Sequence, residues 1–168
     1  MAKLNIRRST ITFRPRRGRD EAFLRMAYET SRDEEFKDVL WNNPAQKKAF
    51  FNQQFDAQAL HFTTMYDSLD YDIIEYKGKP AGRLVLSWES SHLHCVDLAI
   101  LPRYRKQQIG TAIMDAIVGE LDRQHMTASL MFEKWKPYLE KFYEGYGFKT
   151  TKEYPGHFYM RRERKSEP

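Results

Sequence analysis

Between Ile100 and Ala112 the chain reads Ile-Leu-Pro-Arg-Tyr-Arg-Lys-Gln-Gln-Ile-Gly-Thr-Ala. This is a short basic turn joining strand-forming residues to an amphipathic helix. Such a turn can hold a phosphate. The N–H groups in the first turn of a helix lack intrahelical partners and point outward, and the helix dipole adds partial positive charge. Arg105 and Lys106 add full charges to the same turn. Other chemistry-bearing residues are sparse. His61, His92, His125 and His157 fall at no metal-ligand spacing. Neither a His-Glu-x-x-His motif nor a cysteine pair occurs, so no metal is expected. The single Cys95 cannot form an internal disulfide. It is expected as a buried thiol in a reducing compartment, which implies a cytoplasmic location.

The elements around this turn follow from hydrophobic period and from proline and glycine. Thr10 to Arg14 reads as a strand, and Asp20 to Ser31 as a helix with Phe23, Leu24, Ala27 and Tyr28 at helical spacing. Pro44 can open a second helix, whose expected buried stripe is Phe51, Phe55, Ala59, Phe62 and Tyr66. Its Gln46, Gln53, Gln54 and Gln58 read as a solvated face. Tyr71 to Tyr76 and Ala81 to Trp88 form a hairpin about the Lys77-Gly78-Lys79-Pro80 turn. Leu93 to Leu101 is a mostly apolar strand suited to a buried central place, ended by Pro102. Gln108 to Gln124 is a helix with Ile109, Ile113, Ala116, Ile117 and Leu121 on one face. Thr127 to Phe132 is a strand and Pro137 to Gly145 a short helix; Phe148 to Thr151 and Phe158 to Met160 close the chain as strands. This order predicts an α/β sandwich around one mixed sheet.

Composition fits one domain over residues 1–168 with short basic N- and C-terminal tails. Apolar content is 41% and aromatic content 14% of 168 residues, enough for a substantial core. No apolar run approaches the roughly 20 residues of a membrane span, and the basic stretch from Met1 to Arg19 lacks the apolar segment of a signal peptide. Net charge is +5, with Arg14, Arg16, Arg17 and Arg19 early and Arg161, Arg162, Arg164 and Lys165 late. No nucleic-acid-reading motif accompanies this charge, so it reads as solvated ends and attraction for an anionic cofactor.

The element order and three motifs resemble the GNAT superfamily of N-acetyltransferases over roughly Thr10 to Arg161. Arg105-Lys106-Gln107-Gln108-Ile109-Gly110 is similar to the family's Gln/Arg-x-x-Gly-x-Gly/Ala loop. Leu98-Ala99-Ile100-Leu101-Pro102 resembles its strand ending, and Tyr143-Glu144-Gly145-Tyr146-Gly147-Phe148 its Tyr-x-x-x-Gly-Phe. Lys106 and Gln108 stand where glycines are usual, and with φ negative they can still offer backbone N–H groups. Lys136 replaces an asparagine common seven residues before the tyrosine. The resemblance implies an α/β fold with a mixed, mostly antiparallel central sheet of six to seven strands flanked by about four helices. It also allows a homodimer.

By resemblance the donor is acetyl-CoA, the acceptor a primary amine, and the transfer a direct attack in a ternary complex. The implied pyrophosphate cradle is Arg105, Lys106, Gln107, Gln108, Ile109, Gly110 and Thr111. Leu98, Ala99 and Ile100 pair with the pantetheine arm as an added strand would. The resemblance implies that the Leu98 N–H faces the developing oxyanion and that Lys136 reaches a phosphate or the pantetheine amide, or is simply solvated. Tyr143 matches the general acid for the leaving thiolate; by its own helical spacing it reads equally as a core aromatic. An ammonium must lose a proton before it attacks. Asp97 stands first as the base, ahead of Glu133, Glu75 and a water chain. His94 has the best intrinsic pKa, but strand alternation turns it away from Asp97 unless a bulge intervenes. Glu29, Arg32, Glu35 and Tyr66 are candidate acceptor contacts. The alternative is a non-catalytic acyl-CoA-binding or protein-interaction module on the same fold.

Overall fold

The computed structural model describes Leu4, Ile6 and residues 8–165. Eleven strands and α-helices follow the expected order: β1 (Ile11–Pro15), α1 (Glu21–Ser31), α2 (Pro44–Met65), β2 (Asp70–Tyr76), β3 (Lys79–Trp88), β4 (His92–Ile100), α3 (Ile109–Arg123), β5 (Thr127–Glu133), α4 (Tyr138–Glu144), β6 (Lys149–Glu153) and β7 (His157–Arg162). All strands join one seven-stranded sheet in the order β1-β2-β3-β4-β5-β7-β6. Among the described residues only β4 and β5 run parallel. Local rules explain several boundaries. Asn43 caps α2 by accepting from the Gln46 N–H at 2.9 Å, and Pro44 follows at the first helical position. Lys77 and Gly78 turn the β2–β3 hairpin with φ of 51° and 75°, the left-handed pair that suits a two-residue turn.

Two apolar clusters cover the two sheet faces. On one, Ile109, Ile113, Met114, Ile117 and Leu121 of α3 and Tyr143 of α4 pack on Leu84, Leu86, Leu93 and Leu130. Met114 takes the inward place expected of Ala116, which is only half-buried. On the other, Leu24 and Tyr28 of α1 and Phe51 and Phe55 of α2 pack on Ile73.

The basic ends are more committed than a solvated reading allows. Arg14 donates to Asp20 and to Glu75, each at 2.7 Å, tying β1 to β2 and to the entry of α1. The Arg14 guanidinium holds the Asp20 carboxyl at about 2. Arg162 is buried and pairs with Asp122 of α3 at 2.6 Å. These charges brace the sheet's flanks, and desolvation lets a paired charge count for more than it would in water.

β4 carries the feature that matters most. Val85 pairs with Asp97 and Leu86 with Cys95, so Val96 is an extra, bulged residue. On its other side β4 pairs with β5 only from His92 to Cys95. From Val96 onward β4 has β3 alone as a neighbour, while Met131 to Glu133 of β5 pair with β7. The strand is central, as its apolar run predicts, yet only Leu93 is fully buried, because this splay opens beside it. On the closed side, β3 and β4 meet tightly at Gly82, where a methyl group would run into the carbonyl oxygen of Ala99. Gly82→Ala is therefore expected to cost about 1–3 kcal/mol, measured by urea unfolding against the parent chain.

Candidate active site

Splaying leaves a row of backbone groups inside the sheet without strand partners. Leu101 donates to the Ala81 carbonyl at 2.8 Å. By antiparallel alternation, Ala99 and Asp97 next turn their backbone groups toward β3. The amides of Leu98 and Ile100 and the Leu98 carbonyl therefore face the gap, while the Ile100 carbonyl accepts from Arg105 Nε at 3.2 Å. A cavity of about 940 Å³ fills it and passes through the sheet. Its α3/α4 side is lined by Ile109, Gly110, Thr111, Phe142 and Tyr143, and its α1/α2 side by Ser31, Gln58, His61, Phe62 and Tyr66.

The first side ends on the basic turn. Among the described residues, no protein acceptor receives the backbone N–H groups of Lys106 to Thr111; they lie between the Arg105 amide, which donates to the Pro102 carbonyl at 3.1 Å, and that of Ala112, which donates to the Gln108 carbonyl at 3.0 Å. Six unpaired donors thus lie where the α3 dipole begins. Their geometry corrects the negative φ expected of Lys106 and Gln108, which have φ of 60° and 59°. The loop keeps the left-handed turns that glycine would supply, at a cost of roughly 1 kcal/mol or more for each side chain. Arg8 bridges this loop from the N-terminal segment, donating to the Gln107 carbonyl at 3.1 Å and to Gln108 Oε1 at 2.9 Å.

Tyr143 satisfies both of its readings. It packs against Phe132, Phe142 and Phe148 and also lines the cavity. Burial, with Cys95 and Glu133 nearby, raises its phenol well above the ordinary tyrosine range. The phenol is therefore protonated throughout the neutral range. Cys95 lines the cavity beside it, and the packing around its sulfur pushes the thiol up to about 12. Next to the turn, Tyr146 donates to the Thr111 carbonyl and to Asp115, binding the α4–β6 loop to the first turn of α3.

Asp97 lies on the other side, against a buried cation. Arg83 of β3, 2% exposed, donates to Asp97 at 2.5 Å, to Gln58 at 2.8 Å and to Tyr71 at 3.2 Å. Gln58 is thus not on a solvated face; α2 turns it inward to satisfy the guanidinium. The Val96 bulge brings His94 to the same side as Asp97, and both line the cavity. Leu98, Ala99, Ile100, Arg105, Lys106, Gln108, Ile109, Gly110, Thr111, Glu133, Lys136 and Tyr66 line it as well. Lys136 pairs with Glu133 at 3.3 Å and lies over the Trp135 ring. Gln107, Glu75, Glu29, Arg32 and Glu35 do not line it. Glu75 is bound to Arg14, Glu29 faces Lys47, and Arg32 pairs with Glu35. Gln58, His61, Phe62 and Met131 are lining residues that no motif marks.

Residues 27–157 match the family model described as an acetyltransferase (GNAT) domain. The chain belongs to this family. The GNAT sheet recurs in solved structures that this chain resembles. PaiA N-acetyltransferase from Thermoplasma acidophilum, in complex with coenzyme A, is 13% identical with a TM-score of 0.68, covering 91% of this chain and 98% of that one. A GNAT family acetyltransferase from Elizabethkingia anophelis with acetyl-CoA bound is 13% identical with a TM-score of 0.57, covering 93% and 99%. Naa50 from Arabidopsis thaliana, in complex with the bisubstrate analogue CoA-Ac-MVNAL, is 17% identical with a TM-score of 0.55, covering 90% and 97%. At these identities the likeness is one of fold. No curated protein matches the sequence significantly. Among the described residues no helix is long and apolar enough to cross a membrane.

The left-handed turn makes a stability prediction for this GNAT loop. Gln108→Val, a β-branched residue at φ of 59°, should lower stability by about 1–2 kcal/mol. Gln108→Gly should leave it within about 0.5 kcal/mol of the parent, since relief of strain offsets the gain in unfolded-state entropy. Urea titration of the three proteins checks both.

Proposed function

We propose that this chain is an N-acetyltransferase that moves an acetyl group from acetyl-CoA to a primary amine by direct attack in a ternary complex. The observation that carries this reading is the gap between β4 and β5, an unpaired strand edge ending on the free amides of α3. Acyl-CoA has the complementary form: a peptide-like arm ending in a pyrophosphate. Leu98 and Ile100 would pair with that arm across Ala99, and the amides from Lys106 to Thr111, with Arg105, would hold the phosphates. Lys136 stands at the cavity wall as a further cation.

The remaining roles follow from where charge changes. The carbonyl oxygen of the thioester becomes negative as the amine attacks, and the Leu98 N–H is the proposed donor to it, an effect worth roughly 3 kcal/mol. The leaving sulfur needs a proton, and Tyr143, protonated and at the cavity wall, is the proposed acid. Asp97 keeps a carboxylate in the acceptor half, oriented by Arg83. Cys95 is held as the neutral thiol, a poor nucleophile, which supports direct attack over an acetyl-cysteine step. A cytoplasmic location is proposed with it, since a lone free thiol suits a reducing compartment.

Release of free CoA from acetyl-CoA, followed across a panel of primary amines, tests the reading. Turnover with at least one amine is expected. Tyr143→Phe should lower kcat by about 10²-fold, while Cys95→Ala should stay within about twofold of the parent, since the neutral thiol is not asked to react. Failure to bind any acyl-CoA by calorimetry would overturn the proposal. Binding without turnover on any amine would make the chain an acyl-CoA-binding module instead.

A further inference from the structure

Where β4 and β5 still pair, four side chains form a hydrogen-bonded row on the acceptor side of the sheet. His94 Nδ1 lies 2.8 Å from Ser129 Oγ, and Ser129 Oγ lies 2.7 Å from His92 Nε2. His92 Nδ1 lies 2.7 Å from Thr127 Oγ1. Thr127 Oγ1 in turn donates to the backbone carbonyl of Ser91 at 3.3 Å. Parallel register creates the row by setting His92 beside Thr127 and His94 beside Ser129.

Assigning the Thr127 hydroxyl proton to the Ser91 carbonyl, which only accepts and also takes the Thr127 N–H at 3.1 Å, sets the direction of the other bonds. Thr127 Oγ1 must then accept from His92, which puts the proton of neutral His92 on Nδ1 and a lone pair on Nε2. That lone pair accepts from Ser129, whose oxygen is left to accept from His94 Nδ1. Neutral His94 therefore carries its lone pair on Nε2. Among the described residues, His94 has no hydrogen-bond partner other than Ser129, and it lines the cavity. Its ring lies near-parallel to those of Tyr66 and Tyr159, with centroids 6.0 and 6.5 Å away.

We propose that His94 Nε2 is the base that takes the proton of the acceptor ammonium, and that Thr127, His92 and Ser129 fix the tautomer that makes this nitrogen available. The proposal deepens the acetyltransferase reading and rests on it for the identity of the substrate. The step is a single proton transfer. One N–H bond of the ammonium breaks, its electron pair stays on the substrate nitrogen for the attack, and the proton bonds to His94 Nε2. The resulting imidazolium is held by Ser129 Oγ and returns its proton to water when the product leaves. The other groups facing His94 decide its charge. They are His92 on its own strand, Glu89 at the β3–β4 turn, Ser129 of β5, Tyr159 of β7 and Tyr66 after α2; Arg161 and Glu163 act on His92 behind it. Burial, then His92, lowers the His94 pKa below its ordinary 6.5, so the ring is neutral at physiological pH and ready to accept. Asp97 is less free for this task because its carboxylate already accepts from Arg83.

Imidazole nitrogen NMR on the resting protein reads the tautomer without any substrate. At neutral pH, protons on Nδ1 of both His92 and His94 are expected, and Ser129→Ala should return His94 to a mixture. A proton on Nε2 of His94 in the parent protein would overturn the proposal. Kinetics supply the second arm. His94→Gln should lower kcat/KM by about 10²-fold at neutral pH, with the deficit closing as pH rises toward the pKa of the amine. Ser129→Ala should show the same trend with a smaller loss. CoA affinity by calorimetry should stay within about twofold in both, since neither residue is proposed to contact CoA. A parent-like pH profile in His94→Gln would overturn the role of His94. A parent protein that acetylates no amine would instead sink the acetyltransferase reading, while the NMR arm would still report on the row.

Discussion

An unpaired strand edge inside a sheet is a constraint that has to be met. Backbone N–H and C=O groups removed from water without partners cost on the order of 1–3 kcal/mol each, and native proteins rarely leave them so. In this chain the Val96 bulge re-aims β4 so that its second half leaves β5, and the groups of Leu98 and Ile100 face a cavity. Everything else is arranged around keeping that edge open. β7 pairs with β5 from Ala128 to Glu133 on the edge away from β4, so the second half of β5 stays in the sheet after β4 has left it. α3 starts at the end of the gap and α4 closes one wall, while α1 and α2 cover the opposite face.

The buried Arg83 does the same work on the acceptor side. One guanidinium reaches β4 through Asp97, β2 through Tyr71 and α2 through Gln58, so three elements are tied at one point beside the gap. A buried charge is costly unless its donors are satisfied. Removing any of the three acceptors would therefore loosen the wall as well as unbalance the charge. The site is in this sense polar on one side and apolar on the other. Phe132, Phe142 and Phe148 surround Tyr143 and keep its proton in place, whereas Asp97, His94 and Gln58 make the opposite wall of the cavity polar.

Much of this was legible in the sequence, for identifiable reasons. The element order is written in strong local signals: the periodic Ile109, Ile113, Ile117 and Leu121, the prolines at 44 and 102, and the Lys77-Gly78 turn. The family motifs then located the strand edge and the basic turn. What escaped depends on contacts between distant segments. Insertion of β7 between β5 and β6 is a pairing choice with no local mark. The inward turn of Gln58 follows from a cation on another strand. The row from Thr127 to His94 exists only in the register of two parallel strands. One signal was present and read the other way. Lys106 and Gln108 stand where glycines are usual, and a glycine position is itself a sign of positive φ.

The central claim is that the opened edge of β4 and the first amides of α3 together hold an acyl-CoA. Amide hydrogen exchange with and without CoA tests it most directly. Slower exchange in residues 96–100 and 106–111 on CoA binding, with β1, β2 and β6 unchanged, is the predicted result. CoA binding that leaves exchange in both segments untouched would contradict the account.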